Sequence, residues 1–126
     1  MTAKKIFMIE DDKFVGDMYR RLFIGNGYDV ELVQNGTDAL ASLGKANILP
    51  DLITLDLNLP DMDRYEILKQ LKANDKMKKI PVVVLTNSFY EESEKEFLSL
   101  GAALFLVKIH NNNKEILEKI HTLLEK

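Results

Sequence analysis

The sequence predicts a doubly wound α/β fold: five parallel strands in the order 2-1-3-4-5, with five helices packed on the two faces of the sheet. Three observations predict it. Five short apolar runs recur along 126 residues, segments with helical spacing lie between them, and the runs are apolar on both faces. Strands of that kind, joined by helices, form a parallel sheet covered on both sides, with right-handed crossovers.

The elements follow in order. "IFMI" (6–9) is the first strand, and Phe14, Val15, Met18, Leu22 and Phe23 make the apolar stripe of the first helix. Glycine in "GNGYD" (25–29) ends that helix, and "YDVELV" (28–33) supplies the second strand. "NGTDA" (35–39) opens the second helix with a cap candidate, and Ala39, Leu40 and Leu43 form its stripe. "LITL" (52–55) is the third strand, followed by a helix carrying Tyr65, Ile67, Leu68 and Leu71. "IP" (80–81) precedes the fourth strand "VVVL" (82–85), after which Phe89 and Tyr90 begin a helix striped by Phe97, Leu98 and Leu100. "ALFLV" (103–107) is the fifth strand. "HNNNKE" (110–115) is the polar lead-in to a last helix with Ile116, Leu117, Ile120, Leu123 and Leu124.

Composition narrows the function. The length fits one domain spanning 1–126 with no room for an output domain, and 46% hydrophobic content builds a sizeable core. A net charge of -3 gives no general attraction to nucleic acid or anionic membranes, so neither is expected as a partner. The absence of cysteine excludes disulfides, thiolate metal sites and a cysteine nucleophile, and agrees with a cytoplasmic protein. No segment approaches the roughly 20 apolar residues of a membrane span.

Polar residues collect where the strands end. Glu10, Asp11 and Asp12 follow the first strand, Asp56 the third, Thr86 the fourth and Lys108 the fifth. In a doubly wound sheet these ends face one way, into the crevice where ligands bind. Clustered carboxylates repel one another, so they take up protons or bind a hard, oxygen-seeking cation, for which Mg²⁺ is suited. Beside such an ion a carboxylate acts as nucleophile towards a phosphoryl group, while a lysine and a hydroxyl hold the remaining oxygens.

With "EDD" after an apolar strand, "PDLITLDLNLPDMD", "IPVVVLT" and "GAALFLVK", the chain resembles the receiver domain of two-component response regulators, single-domain and chemotaxis-regulator-like, a flavodoxin-like fold. The resemblance runs from about Lys5 to the C-terminus. It implies a phosphoacceptor switch, not an enzyme, in which Asp56 takes a phosphoryl group from a sensor histidine kinase or a phosphotransfer protein. It also implies that Glu10, Asp11, Asp56 and the backbone carbonyl of Asn58 hold Mg²⁺. Thr86 would bind phosphoryl oxygens, Lys108 would contact the acyl phosphate, and Phe105 would be the aromatic that moves with Thr86. A face of the fourth helix, fifth strand and fifth helix would then contact a downstream protein or a second copy. The added charge of ~1.5–2 biases an existing two-state equilibrium.

Three positions depart from the family pattern. Ile109 stands where a proline preceded by a cis bond is usual, so a trans bond with a rearranged loop, or a strained site, is expected. Arg64 replaces a glycine; it can pair with Asp61 or Asp63, obstruct a kinase, or stand exposed in a first turn. Asn87 is larger than the usual small residue and narrows access to the pocket. Three rivals remain. A haloacid-dehalogenase-type phosphohydrolase needs a second aspartate where this chain has Asn58, and a flavodoxin-like carrier needs a phosphate-cradling loop where it has "EDDKF". The third is a degenerate receiver that binds partners without phosphate.

Overall fold

Each apolar run becomes a strand in a computed structural model of the chain, which describes residues 3–87 and 91–125, and of residues 91 and 92 the backbone alone. In chain order the elements are β1 (Lys5–Ile9), α1 (Lys13–Gly25), β2 (Asp29–Val33), α2 (Gly36–Lys45), β3 (Leu52–Leu55), α3 (Glu66–Ala73), β4 (Val82–Thr86), α4 (Glu91–Ser99), β5 (Leu104–Val107) and α5 (Asn113–Leu124). The sheet order is β2-β1-β3-β4-β5 and every pairing is parallel. Among the described residues no helix is long and apolar enough to cross a membrane. The expected Phe89 and Tyr90 start of α4 lies outside the described residues.

Alternation along the strands divides the core in two. Phe7, Ile9, Ile53, Leu55, Val82, Val84, Phe105 and Val107 pack with α2, α3 and α4 on one face. Ile6, Met8, Leu52, Val83, Leu85 and Leu106 pack with α1 and α5 on the other. β3 and β4 are buried along their whole length, as central parallel strands must be.

The helix ends follow local chemistry. Asp12 caps α1 through Val15 N–H, Asn35 caps α2 through Asp38 N–H, and Asn112 with Glu115 forms a reciprocal capping box on α5. Beyond α1 the chain reverses at Gly27, whose φ of +92° suits a residue without a Cβ.

The α1 stripe differs from expectation. Gly16, Tyr19 and Phe23 are buried, whereas Phe14 is 90% exposed and Met18 48%. Gly16 sets this rotation, since a Cβ there would stand 3.0 Å from Leu32. The helix presses its glycine face onto β2 and turns Phe14 outward. In α4 likewise Phe97 is buried but Leu98 is exposed.

Candidate functional site

Three strand ends bring Glu10, Asp56 and Lys108 together at the carboxyl edge of the sheet. Glu10 follows β1 and Asp56 follows β3, and the pairing of those strands continues one step beyond them, where Asp56 N–H donates to the Ile9 carbonyl at 2.9 Å. The two carboxyls hydrogen-bond each other, and Lys108, following β5, closes a buried ion pair with Glu10. Beneath it the Lys108 ammonium lies 5.6 Å from the centroid of the Tyr19 ring.

Asp56 is buried at 7% exposure, which explains its titration. Burial first, then the hydrogen bond and negative charge of Glu10, push its carboxyl up to about 7, against the opposing pull of Lys108. Burial and then Glu10 also push up the Tyr19 phenol.

Thr86 ends β4 fully buried, aligned with Val107 of β5, while Val84 aligns with Phe105. By alternation its side chain points towards the α2–α4 face, the side on which Phe105 packs. Phe105 lies inside, at 8% exposure.

Asp11, Asn58 and Asn87 are exposed. The structure does not add Asp11 to the Glu10–Asp56 pair: among the described residues no three acids or histidines stand close enough to hold one ion. The donor set nevertheless suits a hard cation. Two buried carboxyls in contact, one of them driven towards protonation, are what a divalent ion with oxygen preference relieves.

The departures from the family pattern resolve as follows. No described residue has a cis peptide bond, so the bond before Ile109 is trans, and Lys108–His110 form a 3-10 turn in which Ile109 is exposed. Asp61 is occupied elsewhere: its carboxylate accepts from Gly36 N–H at 2.9 Å, Thr37 N–H at 2.8 Å and the Thr37 hydroxyl at 2.5 Å. Those bonds, the hydroxyl first, hold its pKa below the usual range. Arg64 instead donates to Ser93 in α4. Sequence reasoning missed Tyr19 and Ser93. Gly16 was the available signal for Tyr19, three residues on along the same face; Ser93 carries none.

The chain matches the response regulator receiver domain family over residues 6–121 and belongs to it. Response regulator MprA of Mycobacterium sp. (strain KMS) is 35% identical over 104 residues, covering 82% of this chain and 44% of MprA. The chain thus spans less than half the length of that relative. Among solved structures, chemotaxis response regulator CheY4 of Vibrio cholerae superimposes with a TM-score of 0.86 at 29% identity, covering 97% of this chain and 99% of CheY4. The Mn²⁺-bound form of response regulator Rcp1 superimposes with a TM-score of 0.78 at 30% identity, covering 96% of this chain and 88% of Rcp1. Receiver domains are phosphoacceptor switches of two-component systems that interact with histidine kinases and downstream effectors.

Proposed function

We propose that Asp56 is the phosphoacceptor of this switch. The observation that carries the reading is the buried Asp56 carboxyl at the end of a central strand, in contact with a second acid whose other partner is Lys108. In the transfer a P–O bond forms at the Asp56 carboxylate as the P–N bond of a donor phosphohistidine breaks, and the imidazole leaves with the electron pair. Lys108 and Thr86 receive the phosphoryl oxygens from either side, the one by charge and the other by its hydroxyl.

Glu10, Asp56 and the carbonyl of Asn58 are the residues that would hold Mg²⁺, with Asp11 joining them only if its exposed side chain turns inward, a role supported by the donor chemistry and by the Mn²⁺-bound Rcp1 relative. When bound, the ion screens the acids and neutralises charge on the incoming phosphoryl group. The donor is a sensor histidine kinase or a phosphotransfer protein. The output is a contact of α4, β5 and α5 with a downstream protein or a second copy, in the cytoplasm, without nucleic acid or membrane.

The test is phosphoryl transfer from a labelled histidine kinase in the presence of Mg²⁺. Wild-type protein takes up label and Asp56→Asn takes up none; equal labelling of the two would end this reading. A phosphate-independent binding module is the second reading. The observation favouring it is that Lys108 already engages Glu10 while Asp11 stays exposed. It prevails if beryllofluoride with Mg²⁺ leaves the NMR spectrum of Thr86 and Phe105 unchanged.

A further inference from the structure

Arg64 sits at the end of the loop that runs from Asp56 to α3, and its side chain leaves that loop. Its Nη1 donates to the Ser93 hydroxyl in the first turn of α4 at 3.1 Å, across 29 residues of chain. Ser93 is only 4% exposed, so a buried hydroxyl takes a charge-assisted bond, stronger than a neutral one. The guanidinium carbon also lies 5.9 Å from the centroid of the neighbouring Tyr65 ring.

A second connection runs alongside. The Tyr65 ring lies 4.7 Å from Phe97 of α4, and Phe97 lies 6.0 Å from Phe105 of β5, centroid to centroid. The phosphoacceptor loop therefore reaches α4 by a hydrogen bond and a ring contact, and α4 passes the ring contact on to Phe105. Ser93 and Phe97 are the buried residues of α4 among those described. A helix with so little buried apolar surface of its own belongs to the low-stability end of a fold.

We infer that Arg64 is a positioning residue that ties α4 to the phosphoacceptor loop, so that a displacement of the loop is transmitted to α4 and to Phe105. Holding a long arginine in one geometry costs side-chain entropy, which a merely solvated residue would not give up. Glycine at this position has no side chain with which to make the tie. The inference rests on Asp56 being the phosphoacceptor.

The experiment titrates wild type, Arg64→Gly, Ser93→Ala, the double variant and Arg64→Lys with beryllofluoride and Mg²⁺. It follows Phe105 and the α4 amides by NMR, and amide exchange is measured in parallel. Arg64→Gly and Ser93→Ala are each expected to move the half-saturation point in the same direction, by about three- to tenfold. The double variant should move it no further, and Arg64→Lys should restore part of the shift. Exchange in α4 should speed up in both single variants while α5 stays unchanged. If wild type gives no response, the Asp56 reading fails and the tie to it fails as well. If wild type responds and the variants share its half-saturation point, or if the two effects add, Arg64 is not a positioning residue while Asp56 keeps its role.

Discussion

α4 and α5 cover opposite faces of the same edge strand, β5, and are held there in different ways. α5 brings its own fixtures: a capping box from Asn112 and Glu115, and Ile116, Ile120 and Leu124 at every fourth position, all buried. α4 buries Ser93 and Phe97 among its described residues, and the Ser93 hydroxyl is held by a side chain that belongs to another element. The loop between Asp56 and α3 supplies such anchors twice, Asp61 to the start of α2 and Arg64 to α4. The α2–α4 face is thus organised from the loop after Asp56, while α5 is organised from its own sequence.

The largest effect should come from removing the aromatic anchor of α4. Phe97 is fully buried between Tyr65 and Phe105, so Phe97→Ala should cost about 3–5 kcal/mol in urea unfolding. Amide exchange should rise in α4 well before α5; simultaneous opening of both helices would erase the contrast between them.

Next comes the pH dependence of the site. A carboxyl with a raised folded pKa stabilises the fold fully below its unfolded value, and that contribution is lost as pH rises through the folded value. For Asp56 the window runs from about 4 to about 7. Metal-free protein should therefore lose stability across that range, by an amount on the order of a few kcal/mol. Asp56→Asn should flatten the slope in urea midpoints taken at successive pH values, and an unchanged slope would assign it to another group.

Smaller effects concern the helix starts. Asn112→Ala removes the cap of α5 and should cost about 1 kcal/mol, read as a lower melting temperature with the beryllofluoride response intact. Asp61 has the opposite sign to Asp56: its stabilising contribution is present above the unfolded pKa and is lost as pH falls through a depressed folded value. Its carboxyl resonance should titrate below the ordinary aspartate range, and Thr37→Val should raise the midpoint by removing the hydroxyl donor.

Much of this was legible in advance because it is local. β3 is four apolar residues in a row and could hardly be anything but a buried strand, and Asp12, Asn35 and Asn112 announce helix starts through bonds that reach only three residues. Glu10, Asp56 and Lys108 could be grouped because a parallel sheet places every strand end on one edge. α1 was harder. Phe14 and Met18 obey helical spacing as well as Tyr19 and Phe23 do, and the rotation that exposes the first pair depends on Gly16 meeting Leu32 of another element. Asp11 next to Glu10 in sequence gave no sign that the two side chains would part.

By itself, then, the sequence determined the alternation of strands and helices, the caps, and the identity of the acids at the sheet edge, since these follow from periodicity and from short-range hydrogen bonding. Only the tertiary structure decided that Tyr19 lies under Lys108, that Asp61 holds α2, and that Arg64 reaches Ser93. Those partners are separated by 24 residues or more in the chain. Which long side chain meets which distant group is set by how the helices pack, and no local pattern records it.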